Sequence, residues 1–208
     1  MAANGVVKNL GVTGSIYCKI YGVTTDISGS GWEMGGIVSY NYGTVSNCYN
    51  SATISGDYNV GGVVGHNAAG ALIENCYNRG DISGCRNIGG ICGQNEGDVE
   101  YCYSTGEMTG NFTGQSDVSS DYTARVGGVV GFLYTSTTGV IPTTIGSFCL
   151  NNTTYSVGTG SSTSVKDNLM ETITLSTCSG LNNNNAYQDD SDSKPINDGY
   201  PVLNWQVE

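Results

Sequence analysis

V-G-G-V-V-G-H-N, residues 60–67, is the stretch on which the fold turns, because the same frame returns along the chain. It reads M-G-G-I-V-S-Y-N at 34–41, I-G-G-I-C-G-Q-N at 88–95 and V-G-G-V-V-G-F-L at 126–133. A companion follows each time: V-S-N-C-Y-N at 45–50, I-E-N-C-Y-N at 73–78, V-E-Y-C-Y-S at 99–104 and, more loosely, I-G-S-F-C-L-N at 145–151. A third element, I-S-G or M-T-G, starts at Ile27, Ile54, Ile82 and Met108, at spacings of 27, 28 and 26 residues. A repeat of this length marks a solenoid, in which each unit buries its apolar side against its neighbours.

Composition agrees. Glycine supplies 32 of 208 residues, about twice the usual share of roughly 7%, while proline supplies only 3. That combination calls for many tight bends and argues against collagen-like or disordered chain. An apolar content of 38% suits a narrow core repeated in layers better than one large sphere. The 18 acidic residues against 7 basic ones give a net charge of −11. Nucleic acid and anionic membranes both require clustered Lys and Arg, so neither is an expected partner. No apolar run approaches the ~18 residues of a membrane span. Residues 1–20 lack the profile of a secretory signal, and this start is expected to be cut from a longer protein.

Cys48, Cys76, Cys102 and Cys149 hold one place in successive units, with Cys18 as a possible counterpart in the first. Equivalent residues stack about 4.8 Å apart in a parallel ladder, so a buried column of reduced thiols is expected. A C-x-x-C pair is absent from the sequence and His66 is the one histidine, which argues against zinc. Cys85, Cys92 and Cys178 fall outside the column.

One unit reads as three strands and three corners, a triangular coil of parallel β-structure: 60–67, 73–77 and 81–83. The glycine pair suits a side where only a hydrogen atom fits. Val45, Ile73 and Val99 should point inward, as should Ile54, Ile82 and Met108, with Glu74 and Glu100 facing water. Strict alternation would turn Asn47 and Tyr49 inward and Cys48 outward. A local bend at Asn47, Asn75 and Tyr101 would instead put the cysteines inside and stack Tyr49, Tyr77 and Tyr103 outside; the constancy of the cysteine favours the bend. Asn41, Asn67 and Asn95 suit an amide ladder at a corner. The expected fold is thus an all-β parallel solenoid of about five turns over residues 1–159. A capping segment follows at 160–208, with a short helix over 167–177 and Trp205 covering the final layer, because open ends aggregate.

The phrases G-G-V-V-G-H-N and N-C-Y-N-R-G-D-I-S-G resemble the GLUG repeat of bacterial surface proteins, some of which carry immunoglobulin A peptidase domains. The likeness is good over about 34–131 and looser at 4–33 and 132–155, and the closing G-Y-P-V-L-N-W-Q is similar to the segment that follows such repeats. The resemblance implies an extracellular or cell-surface protein in which the repeats are a stalk or binding module. It brings no catalysis, since the zinc peptidases need H-E-x-x-H and this sequence has a single histidine.

Two insertions break the spacing, at 111–125 and 132–142, and insertions in solenoids often build the binding face. Phe112, Tyr122, Arg125, Phe132 and Tyr134 are the candidate contact residues there. The column Tyr49, Tyr77, Tyr103 is a candidate platform for flat sugar faces, or a ladder that only stiffens the sheet. Asp189, Asp190 and Asp192 with 182–185 offer oxygens but in no calcium-loop order, so a solvated acidic turn is expected. The expectation is therefore a non-catalytic module, without metal or cofactor, that presents loops to a host glycoprotein, a glycan or another surface protein. The alternative is a polysaccharide-active β-helix enzyme using stacked carboxylates such as Glu74 and Glu100.

Overall fold

The computed structural model describes residues 1–18, 33–110, 124–135, 142–150, 169–190 and 195–207. One turn beginning at Thr44 holds five short strands: Thr44–Ser46, Tyr49–Asn50, Thr53–Ser55, Tyr58–Gly61 and Val64–Asn67. Each pairs in parallel and in register with its counterpart one turn away; Val64, for instance, stands between Val38 and Cys92. The result is five parallel ladders, the first running through Val6–Lys8, Thr44–Ser46, Leu72–Glu74, Asp98–Glu100 and Thr143–Ile145. This is the expected parallel β-solenoid of about five turns.

Five strands appear where three were expected because two sides break in the middle. One break is the anticipated bend: Asn47, Asn75 and Tyr101 have φ of 51°, 51° and 53°, and Asn9 and Gly146 repeat it at 55° in the first and last turns. Asparagine and glycine reach this left-handed region at little cost, so their place in the column follows from the backbone. Reversing direction there sends Cys48, Cys76 and Cys102 inward, all fully buried. The backbone N–H of Cys48 donates to Cys76 Sγ, and that of Cys76 to Cys102 Sγ, both at 3.4 Å.

The other break lies at the glycine pair. A β-carbon on Gly61 would sit 1.9 Å from the carbonyl oxygen of Val64, and one on Gly62 would sit 2.1 Å from that of Gly90 and 2.5 Å from Cγ of Asn78. The backbone folds back on itself here and closes against the ladder Asn50–Asn78–Ser104, in which Asn50 Nδ2 donates to Asn78 Oδ1 at 2.8 Å. This waist divides the interior into two apolar columns. One contains Val45, Ile73, Val99, Val64 and the three cysteines; the other contains Ile54, Val60, Ile82, Ile88 and Met108. Each fully buried Val or Ile contributes on the order of 1.5–3 kcal/mol. The corner ladder is present as well: Asn41 Nδ2 donates to Asn67 Oδ1, and Asn67 Nδ2 to Asn95 Oδ1, both at 2.8 Å.

Register corrects several alignments at the two ends. Cys18 is exposed and outside the column; Leu10 precedes Gly11, which pairs with Tyr49, and so stands opposite Cys48. In the fifth turn Ser147 takes the cysteine place, accepting from the N–H of Cys102 at 3.1 Å, while Cys149 pairs with Ser104. The looser final repeat is therefore one place out of the alignment that its Ile145 suggests. Ser15–Tyr17, not 27–29, is the counterpart of Thr53–Ser55; residues 27–29 lie outside the described residues. All eight cysteines are free thiols.

The C-terminal segment is the largest departure. Leu169–Met170 is a strand that adds a rung beside Phe148–Leu150, and 171–177 forms bends and turns in place of the expected helix. The one helical element among the described residues is a 3-10 turn at Asn204–Gln206. From the last turn the segment runs back along the solenoid's flank, so Trp205 covers the second turn and not the final layer.

Candidate functional site

The strands pointing Tyr49, Tyr77 and Tyr103 away from the interior stack them with ring centroids 5.1 and 5.0 Å apart and planes within 9°. They are nevertheless no open platform, because the returning C-terminal segment lies on them: Tyr77 and Tyr103 are 1% and 0% exposed. Tyr187 packs against Tyr103, whose hydroxyl donates to the Pro201 carbonyl and accepts from Asn197 Nδ2. Gln206 pairs with the Tyr77 hydroxyl at 2.9 Å, and Trp205 rests beside Tyr49. Burial pushes the Tyr77 and Tyr103 hydroxyls well above the usual phenol range. Alternation alone gives the side on which a ring emerges; it carries no information about what covers that side. Asp190 is also structural, accepting the backbone N–H groups of Ile196, Asn197 and Gly199. Asp192 lies outside the described residues.

A different flank carries a second set of polar and aromatic side chains, from buried His66 to exposed Tyr42 and Tyr134. The strands Val38–Asn41, Val64–Asn67, Cys92–Asn95 and Val130–Leu133 align Tyr40, His66, Gln94 and Phe132 in one column. Beside it, the ladder bonds from Ala68, Glu96 and Tyr134 to Asn41, Asn67 and Asn95 align Tyr42, Ala68, Glu96 and Tyr134. On the other side the register of Met34, Val60, Ile88 and Val126 aligns the residues before them, Glu33, Asn59, Asn87 and Arg125. The first two columns are aromatic at both ends, while the third runs from Glu33 to Arg125 through Asn59 and Asn87, which are buried and joined by a hydrogen bond at 2.6 Å.

Contacts join the columns. Tyr40 stacks on Tyr42 with centroids 4.6 Å apart and leans on His66 at 4.1 Å. Burial, then a hydrogen bond with Tyr42, raises the Tyr40 hydroxyl above the phenol range, with the charges of Glu96 and Glu33 adding to it. His66 Nε2 lies 3.0 Å from Glu96 Oε1, which also accepts from Gln94 Nε2 at 3.1 Å. An ionised carboxylate only accepts, so this nitrogen carries the hydrogen. His66 Nδ1 faces Glu33 Oε1 at 3.8 Å without a hydrogen bond. The imidazole therefore touches a carboxylate of the turn before and one of the turn after. At the other end the Arg125 guanidinium lies 4.0 Å above the Phe132 ring, and Phe132 meets Tyr134 at 6.0 Å.

Of the loop candidates, then, Arg125, Phe132 and Tyr134 come together on this flank, and Phe112 and Tyr122 lie outside the described residues. Sequence reasoning did not single out Tyr40, Tyr42, His66, Gln94, Glu96 and Glu33. A signal was present: the seventh place of the eight-residue frame reads Y, H, Q and F, while the places on either side change only once each, to Ser39 and Leu133. A position free to vary inside a constrained frame is one that packing does not dictate.

The stacked acids occupy a third flank. Glu74 and Glu100 pair in register, and the Glu100 carboxyl is raised by partial burial, then by Asp98 and Glu74. Among the described residues no group of three His, Cys, Asp or Glu is placed to hold a metal ion, and no helix is long and apolar enough to cross a membrane.

A family model described as the GLUG motif matches residues 30–55, 56–83 and 84–109. No curated protein and no solved structure matches the chain.

Proposed function

We propose that this chain, a GLUG-repeat protein over residues 30–109, is a non-catalytic module of an extracellular or surface-attached protein, a rod that holds contact side chains at fixed spacing for binding. The observation that carries this is the flank on which Tyr40, His66, Gln94 and Phe132 stand in one register-locked column between two others. Side chains set on paired strands are positioned more rigidly than side chains on loops, which favours recognition over adaptation. Its partners are a glycoprotein, a glycan or another surface protein; the net charge of −11 disfavours polyanions.

A second reading, a polysaccharide-active enzyme, draws on the raised carboxyl of Glu100 beside Glu74. Neighbouring turns stand only about 4.8 Å apart, closer than the wide carboxylate pair of inverting hydrolysis at roughly 6.5–9.5 Å. Screening the purified chain against immobilised glycans and glycoproteins, with reducing-end release measured in parallel, separates the two readings. Saturable binding without product is expected. Release of reducing ends that is lost in Glu100→Gln overturns the non-catalytic reading.

A further inference from the structure

Resting on the reading of the rod as a binding module, we infer that the histidine-bearing flank takes a neutral oligosaccharide laid along the solenoid axis and held between Tyr42 and Tyr134. Both rings are available, Tyr42 being 53% and Tyr134 39% exposed. They stand in one column three turns apart, a span of about 14 Å at the ladder spacing, which is the reach of a short oligosaccharide. The contrast with the buried tyrosine column is informative. Tyr77 has a ring above it and a ring below, so neither of its faces is open. Tyr42 stacks on Tyr40 on one side, but the next turn of its own column supplies only Ala68. Ala68 brings no second ring, so a sugar face can lie on the exposed part of Tyr42, since aromatic rings offer an apolar body with a polar rim.

Between the two ends the flank presents acceptors. Glu96 uses Oε1 for His66 and Gln94, whereas a carboxylate has about four acceptor positions. Glu33 sits half-buried on the other side of the His66 column, with its carboxylate toward an imidazole nitrogen that makes no hydrogen bond. Such a row demands donors, and hydroxyl groups supply them. It does not suit acidic sugars: two carboxylates lie on the face, and Arg125 is laid over Phe132. Sites that hydrogen-bond substrate hydroxyls discriminate strongly against analogues lacking them, so selectivity for hydroxyl over carboxylate-bearing sugars should be marked.

The test is titration of the full chain with neutral and uronic-acid oligosaccharides of increasing length. Affinity for the neutral series should rise from mono- to tetrasaccharide and then level, and the acidic series should bind more weakly. Tyr42→Ala and Tyr134→Ala should each weaken binding about tenfold, equivalent to ~1.4 kcal/mol, with the β fold retained in circular dichroism. Tyr42→Phe, which keeps the ring, should retain most of the affinity. Preference for the acidic series, no dependence on length, or full affinity in both alanine variants overturns the inference. If no oligosaccharide binds while a surface protein still does, the inference fails and the binding-module reading stands. If nothing binds, both fail.

Discussion

The indole N–H of Trp205 donates to the backbone carbonyl of Asn47 at 2.8 Å, across 158 residues of sequence. Asn47 is where the second turn bends with a positive φ, and a bend of that kind turns a carbonyl out of the ladder. Trp205 supplies the donor that it lacks and lies against Tyr49 at 6.1 Å. One side chain thus ties the end of the chain to an early turn and closes the tyrosine flank.

Trp205→Ala should therefore destabilise the whole solenoid, not only its tail. Partly buried, the ring should be worth about 2–3 kcal/mol, somewhat below the 3–5 typical of a core Trp. Denaturant unfolding gives the value. Amide exchange should rise at Tyr77 and Tyr103, which the segment covers.

Asn67 is the middle rung of the corner ladder, donating to Asn95 and accepting from Asn41. Asn67→Leu would take one partner from Asn41 Nδ2, which keeps the Gly43 and Leu72 carbonyls, and one from Asn95 Oδ1, which keeps the Gly97 N–H. The cost is then two lost hydrogen bonds at about 0.5–1.5 kcal/mol each. A loss of ~2 kcal/mol is expected in chemical denaturation, and Asn41→Leu, which removes the donor to Asn67 Oδ1 and the acceptor of the Gly43 N–H, should lose at least as much.

Tyr101 holds φ at 53° where its column otherwise has asparagine or glycine. The left-handed conformation costs such a residue roughly 1–2 kcal/mol. Tyr101→Asn should then raise the melting temperature, by an amount equivalent to about 0.5–1 kcal/mol after the lost ring contact with Gly146 is subtracted.

The interior thiols set a pH dependence. Burial raises Cys76 and Cys92 above the ordinary thiol range, and Cys48 is raised first by its hydrogen bond with Cys76 and then by burial. Above the unfolded thiol pKa of ~8.5 the unfolded chain has lost protons that the folded chain keeps, so stability falls as pH rises further. It is full below that value. Equilibrium unfolding between pH 7 and 10 should show the decline, and Cys48→Ala/Cys76→Ala/Cys92→Ala should flatten it. In the native state, alkylation should label exposed Cys18 first and the buried cysteines only on unfolding.

The periodicity of G-G-V-V-G and N-C-Y-N was enough, without coordinates, to establish stacked parallel turns, inward Val45, Ile73 and Val99, the bend before each cysteine and the amide ladder at Asn67. Those features repeat because each turn meets an identical neighbour, so one local solution is written again and again in the sequence. What departs from the period was not legible in that way. The place of Ser147 rather than Cys149 depends on the register of one irregular turn. The burial of Tyr77 and Tyr103 depends on a distant segment that brings in Tyr187, Asn197, Pro201 and Gln206 and has no counterpart in the repeats. The flank of Tyr42, His66, Glu96 and Tyr134 exists only once residues more than twenty positions apart lie side by side, a distance that stacking removes and linear sequence does not show. Repetition encodes contacts between like units; contacts between unlike segments are decided by tertiary packing.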